Sequence, residues 1–249
     1  MLTQAWHKTH AAFRGLYDDF QQFLAPSSCL CCGRARDFED RLLCPACIQA
    51  LQTMNPGVGP ACPFCGNLLT DPQCHSCAAP GALRLYYWGV YDCELKECIL
   101  QFKFHGAREL GPRLVQLSCE SPLKCFPLDK YDLVMPVPLH RRRRRQRQFN
   151  QSELLAAELS KFWQTNFSAE YLVRAKSTFQ QAKLPENERW SNVKDAFLVP
   201  AKFETRIAGK NILLVDDIVT TGATVYEASR PLLAAGAAGV DIFSLARAL

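Results

Sequence analysis

Two adjacent carboxylates followed by a hydroxyl-rich turn are the residues of this chain best suited to chemistry. In NILLVDDIVTTGAT, residues 211–224, an apolar run leads into Asp216 and Asp217 and then into a TTGAT turn that opens a helix. A helix N-terminus presents unpaired backbone N–H groups, so this turn and its three threonine hydroxyls favour binding of an anion. The upstream carboxylates would face a neutral polyol, such as the two hydroxyls of a ribose. One segment can therefore hold both the 5′-phosphate and the sugar of a phosphoribosyl group.

This stretch resembles the phosphoribosyl-pyrophosphate (PRPP) motif of type I phosphoribosyltransferases, in which an apolar run, two acids and two apolar or small residues precede TTG-T. An incidental strand–turn–helix with a capping threonine would rarely combine all of these positions, so the match is specific. The resemblance implies that Asp216 and Asp217 hold the ribose hydroxyls and that the turn binds the 5′-phosphate. The residues it assigns to the phosphate are Thr220, Thr221, Gly222, Ala223 and Thr224.

Thirteen cysteines raise a choice between disulfides and metal binding. The chain is longer than a small secreted domain, and its start, MLTQAWHKTHAAF, lacks the continuous apolar core of a signal peptide, which indicates a cytoplasmic protein. Eight of the cysteines form four C-x-x-C pairs, and in a reducing compartment this pattern indicates metal ligation. The pairs are Cys29/Cys32, Cys44/Cys47, Cys62/Cys65 and Cys74/Cys77.

Each C-x-x-C turn puts two thiolates on one knuckle, and two knuckles complete a tetrahedral four-cysteine zinc site. Gly33 and Gly66 directly follow two of these pairs, where the turn often needs a positive φ. The simplest assignment joins successive pairs into two structural zinc sites, while an interleaved arrangement, with the first and third pairs sharing an ion, stays open. Redox exchange is disfavoured because four pairs exceed what it needs. We assign no ligand role to Cys31 or His75, and the four remaining cysteines are expected to be buried thiols.

The segment LHRRRRRQRQFNQ, residues 139–151, concentrates the positive charge of the chain. Its six arginines exceed the whole net charge of +5, so the remainder carries −1. A broad nucleic-acid surface is therefore disfavoured, whereas a focused one is not. The block separates a predicted strand from a predicted helix, so we expect a loop at the site edge of the sheet rather than a targeting signal. Inner arginines, Arg147 first, are expected to face pyrophosphate, and outer ones to be solvated or to reach a polyanion.

Strand and helix patterns alternate from residue 81 onward, which favours an α/β domain with a largely parallel sheet. The segment 83–92 is predicted to be a strand or a hairpin. The other predicted strands are 131–139, 170–176, 195–200, 211–219 and 239–248, and the predicted helices are 94–104, 150–163 and 222–236. Three units are expected: an N-terminal amphipathic helix (1–28) that docks on the body of the protein, a double zinc-ribbon module (29–80) and the α/β domain (81–249). No apolar run is long enough to cross a bilayer.

From Cys29 to the end, the chain is similar to the competence protein F family (ComF/GntX group), which joins an N-terminal zinc ribbon to a type I phosphoribosyltransferase-like domain. The similarity rests on the cysteine pairs, on PVPLHRRRRRQRQFNQSELLA and on STFQQAKLPENERWSNVKDAF. It implies that pyrophosphate is bound by Pro136, Val137, Pro138 and Arg147. It also implies that the segment 178–192 covers bound PRPP, with contributions from Gln181, Arg189 and Asn192. Gln148 replaces the glycine usual in this family, which changes the shape of the pyrophosphate pocket.

The resemblance implies a PRPP-dependent transferase in which Mg²⁺ binds pyrophosphate oxygens and ribose hydroxyls. Arginines and Mg²⁺ would stabilise the negative charge that develops on the departing pyrophosphate. No segment identifies the acceptor nitrogen. A second interpretation is a non-catalytic PRPP-fold module that binds single-stranded DNA or a competence helicase through its zinc ribbons and arginine block. Both interpretations assign the protein to DNA uptake or to the use of DNA.

Overall fold

A five-stranded parallel sheet lies at the centre of the fold. The computed structural model describes residues 28–35, 40–54, 60–67, 69, 74, 83–121, 130–147, 149–176 and 185–248. The strands are β1 (Leu85–Val90), β2 (Leu133–Pro136), β3 (Asn166–Phe167), β4 (Val173–Arg174), β5 (Phe197–Leu198), β6 (Asn211–Val219) and β7 (Gly239–Arg247). The main sheet has the order β1-β7-β6-β2-β3, and β4 and β5 form a separate antiparallel pair.

Helices cover both faces of this sheet. They are α1 (Pro45–Gln52), α2 (Cys93–Phe104), α3 (Leu110–Glu120), α4 (Arg141–Arg147), α5 (Gln151–Phe162), α6 (Glu186–Val193), α7 (Glu204–Ile207) and α8 (Ala223–Ala234). The predicted α/β fold, a mostly parallel sheet flanked by helices, is confirmed. Within the described residues, no helix combines the length and apolar character needed to cross a membrane. The predicted helix at 1–28 lies outside the described residues, apart from its last position.

Strand β6 is apolar on both faces because both faces are covered. Leu213 and Val215 pack in one buried cluster with residues of α2, α3 and α5, whereas Ile212 and Leu214 pack in a second cluster with residues of α8. Successive side chains of a strand point to opposite faces, and a parallel strand buried on both sides needs a continuous apolar run. The run NILLV supplies it, and the buried strand then delivers Asp216 to the edge of the sheet.

The cysteine-rich segment shares a core with the sheet. Leu43 and Leu51 are fully buried in the same cluster as Trp88 and Phe102. Further along the chain, Ala61 pairs with the edge strand β1: its N–H donates to Leu85 O at 2.8 Å, and Leu85 N–H donates to Ala61 O at 2.7 Å. Both parts of the segment are therefore attached to the α/β body. The predicted boundary at residue 80 lies outside the described residues.

The arginine block forms helix α4, and the prediction of a loop there was wrong. Arginine has a high intrinsic helix propensity, which a search for apolar periodicity does not detect. The helix is held at its start, where His140 O accepts from Arg143 N–H at 2.9 Å and from Arg144 N–H at 3.0 Å. A 3.3 Å ion pair between Arg144 and Glu153 joins α4 to α5.

Other predicted elements differ in length or were not foreseen. The strands expected at 170–176 and 195–200 are two-residue strands that pair with each other outside the main sheet. Helices α1, α3, α6 and α7 and the edge strand β3 were not predicted. Cys93 was expected to be buried but is exposed, because it opens α2 at the surface.

Candidate functional site

A tight turn joins β6 to α8 at the carboxyl edge of the sheet. Strand β6 ends at Val219 and α8 begins at Ala223, so three residues make the connection. The last of them, Gly222, caps the helix with a φ of 75°. This left-handed conformation favours glycine because other residues bring their Cβ too close to the backbone. The first N–H groups of the 12-residue helix α8 are thereby presented at the end of the strand.

A cavity of about 790 Å³ opens at this turn. It is lined from the ends of four neighbouring strands, β1, β2, β6 and β7, which is where open α/β sheets bind ligands. The lining includes these predicted residues: Val137, Arg147, Arg189, Asp216, Asp217, Thr220, Thr221, Gly222, Ala223 and Thr224. Pro136 and Pro138 are buried beside Val137 and do not line the cavity, and Gln181 lies outside the described residues.

The two carboxylates have different surroundings. Asp216 Oδ1 accepts from Ser152 Oγ–H and from Asp217 N–H, each at 2.9 Å. Asp217 Oδ1 instead pairs with Lys103 Nζ at 2.9 Å. Burial, with the charge of Asp217 as the second cause, raises the pKa of Asp216 to about 7, while Ser152 and Lys103 act in the opposite direction. Asp216 therefore exchanges its proton near neutral pH.

Positive charge outweighs these carboxylates in the cavity. The basic side chains in its lining are Lys103, Arg143, Arg147, Arg174, Arg189 and Arg247. Burial, followed by the charge of Arg143, lowers the pKa of Arg174 to about 10. Burial also lowers the pKa of Arg247, whose side chain is 3% exposed. Because a buried cation is costly without a counter-charge, this surplus indicates a ligand with several negative charges.

The buried amide side chains of Asn150 and Gln151 add hydrogen-bonding groups whose orientation is fixed. Asn150 Nδ2 donates to Val137 O at 3.1 Å, and Gln151 Oε1 accepts from Arg147 Nη1 at 3.2 Å. Among the described residues, nothing bonds to Asn150 Oδ1 or to Gln151 Nε2, although both side chains are buried and line the cavity. Buried polar atoms almost always form hydrogen bonds, so these two atoms are available to hydrogen-bond with a ligand or with water.

Sequence reasoning missed several of these residues. Lys103 lies in the last turn of an amphipathic helix, and Arg174 and Arg247 are the last residues of the observed strands β4 and β7. A charge at the carboxyl end of a buried strand was the available signal for both arginines. The buried amides Asn150 and Gln151 gave no signal of their own, because their burial depends on how α5 packs against the sheet.

The described cysteines gather into two groups. The first cluster is Cys29, Cys32, Cys44 and Cys47, and the second cluster is Cys62, Cys65 and Cys74, with all sulfurs in each within 4.8 Å of one another. This grouping corresponds to the consecutive pairing of the motifs. Cys77, the fourth predicted ligand of the second cluster, lies outside the described residues. All described cysteines are free thiols.

The sulfur spacing fits a tetrahedral metal site. The Sγ atoms of Cys32 and Cys44 are 3.7 Å apart, and those of Cys65 and Cys74 are 3.6 Å apart. A zinc ion with Zn–S bonds of about 2.3 Å implies an S···S edge of about 3.8 Å, far longer than a disulfide bond. The predicted positive φ of Gly33 and Gly66 is confirmed at 73° and 79°. Zinc bound by four thiolates would supply folding free energy, about 10–16 kcal/mol in small zinc domains.

Comparison with solved structures gives distant matches. A glutamine PRPP amidotransferase from B. subtilis, complexed with ADP and GMP, aligns at 18% identity with a TM-score of 0.33, covering 54% of this chain and 24% of its own. A hypoxanthine phosphoribosyltransferase from Staphylococcus aureus aligns at 16% identity with a TM-score of 0.29, covering 56% of this chain and 59% of its own.

Curated relatives are closer in sequence, although no family model matches the chain. DNA utilization protein YhgH of Escherichia coli (strain K12) is 33% identical over 225 residues, which are 89% of this chain and 90% of that protein. Competence protein ComFC of Bacillus subtilis (strain 168) is 32% identical over 225 residues, which are 84% of this chain and 85% of the relative. Competence protein F of Haemophilus influenzae is 29% identical over 214 residues, which are 83% and 90% of the two chains. The resemblance predicted from the motifs is confirmed, and this chain belongs to the family of DNA utilization protein YhgH and competence proteins F and ComFC.

Proposed function

We propose that this protein binds PRPP in the cavity at the carboxyl edge of the sheet. One observation carries the proposal: two carboxylates, a threonine-rich helix N-terminus and six basic side chains line the same cavity. The carboxylates suit the hydroxyls of a sugar, whereas the helix N-terminus and the basic side chains suit two separate phosphate groups. PRPP combines a ribose diol with a 5′-phosphate and a pyrophosphate.

The 5′-phosphate would bind at the turn 220–224, where the threonine hydroxyls and the first N–H groups of α8 can donate to it. The ribose hydroxyls would donate to Asp216 and Asp217, and Asn150 Oδ1 offers a further acceptor. The pyrophosphate would bind among the basic side chains, with Gln151 Nε2 as a further donor. Every orphaned polar atom of the buried amides then has a partner of the correct polarity.

The carboxylates also fit Mg²⁺, since this ion binds through one or two carboxylates together with phosphate oxygens. When bound, Mg²⁺ supplies charge neutralisation for the pyrophosphate. Arg143 and Arg147 would stabilise the same leaving group, and Asp216 would stabilise the positive charge that develops on the ribose ring. In the transfer, the bond from C1′ to the pyrophosphate oxygen breaks and a bond from C1′ to an acceptor nitrogen forms, with loss of the acceptor's proton.

The names of the relatives support a role for this chain in DNA utilisation or in competence. A second candidate function, binding of single-stranded DNA, is favoured by the outer face of α4. Arg141, Arg142 and Arg145 are exposed beside the cavity, whereas Arg143 and Arg147 line it. DNA phosphates, or an acidic surface of a helicase partner, could bind to this outer face.

Titration of PRPP with Mg²⁺ by calorimetry tests the first function. We expect one PRPP per chain and at least about tenfold weaker binding in Asp216→Asn/Asp217→Asn, which is a loss of about 1.4 kcal/mol or more. Inorganic pyrophosphate should still bind this variant, because its basic residues are intact. Asp195→Asn, an exposed carboxylate outside the cavity, serves as the control. No binding, or equal binding by the double variant, would overturn the proposal.

Two further measurements separate catalysis from DNA binding. Transfer is tested by adding nucleobases one at a time and measuring the pyrophosphate released from PRPP. If no nucleobase causes release, the protein binds PRPP but does not transfer its phosphoribosyl group to these acceptors. The affinity for single-stranded DNA should fall steeply with salt, with a slope near 0.7 per phosphate contact on logarithmic axes. A flat salt dependence would remove the DNA-binding candidate.

A further inference from the structure

We infer that the second cysteine cluster is a wall of the ligand cavity and that it positions Arg247 as a ligand-binding residue. Metal binding by this cluster and ligand binding in the cavity are then thermodynamically coupled. The segment responsible is the Pro63 knuckle, defined as residues 62–65, which joins the first two cysteines of the second cluster. The inference rests on the proposed function for the identity of the ligand.

Arg247 is held by the Pro63 knuckle from one side and lines the cavity on the other. Its Nη1 donates to Pro63 O, and its Nη2 donates to Phe64 O at 2.9 Å. No hydrogen-bond partner of Arg247 Nε is found among the described residues, and none of their carboxylates forms an ion pair with this side chain. The two carbonyls fix the guanidinium without neutralising it. A buried cation fixed in this way is suited to bind an anion that enters the cavity.

The same knuckle rests on the turn that is proposed to bind the 5′-phosphate. A Cβ built at Gly222 would lie 2.5 Å from Pro63 O and 2.9 Å from the carbon of the same carbonyl. Backbone therefore packs on backbone at this point, with no room for a side chain. A shift of the knuckle would change the packing of the turn 220–222 directly.

A third contact connects the knuckle to helix α6. The Phe64 ring stacks on Trp190, with centroids 5.5 Å apart and planes inclined by 14°, and it meets Tyr226 edge-on at 5.7 Å. Trp190 follows Arg189, which lines the cavity, and Tyr226 lies in the first turns of α8. Phe64 and Cys65 themselves line the cavity. The knuckle thus contacts residues that flank the cavity on three separate elements.

A metal ion at the second cluster would hold this knuckle in place. The knuckle has only two residues between its cysteines, and its backbone bonds are the turn bond from Gly66 N–H to Cys62 O at 2.9 Å and that from Cys62 N–H to Asn67 O at 2.8 Å. Metal binding that orders the knuckle favours the arrangement that binds the ligand. By linkage, the ligand must raise metal affinity by the same factor, and factors of about 5–150 are typical of such coupling.

The first cluster provides an internal control. It packs against the core through Leu43 and Leu51, and none of its four cysteines lines the cavity. An arginine also supports this region: Arg113 Nε donates to Asp40 Oδ2 at 2.8 Å, and Asp40 Oδ1 accepts from Leu42 N–H at 2.8 Å. Arg113 therefore supports the segment before the first cluster through Asp40, and unlike Arg247 it does not line the ligand cavity.

The test compares metal loss from the two clusters of the full-length protein loaded with zinc. A chelator and iodoacetamide are added with or without PRPP and Mg²⁺, and peptide mass spectrometry locates the alkylated cysteines. We expect PRPP to slow alkylation of Cys62 and Cys74 about fivefold or more. Neither of them lines the cavity, so direct shielding by the ligand does not explain such protection. Alkylation of Cys32 and Cys47 should change less than about twofold, below the range of such coupling.

Arg247→Gln should abolish the protection and weaken PRPP binding at least about tenfold while the protein still binds zinc at both clusters. Arg113→Gln, the matched control, should leave both properties unchanged. If PRPP binds wild-type protein but protects neither cluster, or protects both equally, the inference is wrong and the proposed function stands. If PRPP does not bind at all, the proposed function and the inference both fail. Should Arg247→Gln not fold, the wild-type measurement decides alone.

Discussion

Lys103 Nζ lies 2.9 Å from Asp217 Oδ1, and this ion pair joins the last turn of α2 to the carboxyl end of β6. Both side chains are largely buried, at 14% and 11% exposure. The pair also acts on its neighbour: Lys103 lowers the pKa of Asp216, which burial and the charge of Asp217 raise to about 7. The three residues form one electrostatic unit at the proposed sugar-binding end of the cavity.

This unit predicts how stability changes with pH. The folded protein keeps a proton on Asp216 up to about pH 7, whereas the unfolded chain loses it near its ordinary pKa of 3.8. The folded state therefore binds more protons between these values, and the contribution of Asp216 to the free energy of unfolding falls as pH rises through this window. Because Asp216 is partly exposed, we expect a change of about 2–4 kcal/mol rather than the full shift.

Asp216→Asn isolates this contribution, since asparagine resembles the protonated acid and does not titrate. The stability advantage of the variant over wild type should grow from pH 5 to pH 8, measured by denaturant unfolding without ligand, because wild type goes on losing stability until the folded protein also releases the proton near pH 7. Glu158→Gln, a surface carboxylate on α5, should show no such pH-dependent difference. A constant difference between Asp216→Asn and wild type from pH 5 to 8 would show that Asp216 does not titrate in this window.

The sequence was sufficient for elements whose signal is local. Strand β6 has the predicted bounds, because an unbroken apolar run ending in two acids is unambiguous over nine residues. Helix α4 was missed because helix propensity, not apolar periodicity, produces it. Lys103 could not be joined to the site because it lies more than a hundred residues before Asp216, and Arg247 could not because it reaches the site only through the pairing of β7 with β6. Packing of the Pro63 knuckle on Gly222 likewise depends on tertiary contacts between distant segments.

Gly222→Ala should destabilise the protein more than the same substitution at a left-handed glycine with open space around it. The substitution adds the strain of a positive φ and a clash with Pro63 O, which together should cost about 2–4 kcal/mol. Gly209→Ala is the matched control, because Gly209 has a φ of 72° but no atom within 4 Å of its added Cβ. It should lose only about 1–2 kcal/mol. Denaturant unfolding measures both, and equal losses would mean that the knuckle moves aside without cost.

Two arginine pairs on α4 should separate the functions of the two faces. Arg143→Gln/Arg147→Gln should weaken PRPP binding at least about tenfold, because both side chains line the cavity. Arg141→Gln/Arg145→Gln has the same spacing and the same loss of charge on the exposed face. It should leave PRPP affinity unchanged and lower the salt slope of any single-stranded DNA binding by about 1.4, from two lost contacts. If both double variants weaken PRPP binding to a similar extent, PRPP affinity depends on net charge and not on which face of α4 carries the arginines.

Arg174→Met should raise stability and weaken ligand binding at the same time. Burial and the charge of Arg143 lower the pKa of Arg174 to about 10, so its charged form is disfavoured in the ligand-free protein. Burial disfavours the charge of Arg174 more than the attraction of Asp216 favours it, so an apolar side chain of similar length removes a net cost. Methionine also keeps contact with the Phe197 ring, over which the guanidinium lies at 5.2 Å.

We therefore expect the free energy of unfolding of Arg174→Met to rise by about 1–3 kcal/mol and its PRPP affinity to fall at least about tenfold. Arg206→Met is the control, because Arg206 is exposed on α7 and does not line the cavity. That substitution should change neither property by much, since substitutions of exposed side chains usually change stability by less than about 0.5 kcal/mol. Opposite changes in stability and affinity at Arg174 are expected only if its charge is kept for an anionic ligand. A joint loss of both would instead make Arg174 a structural residue of the β4–β5 pair.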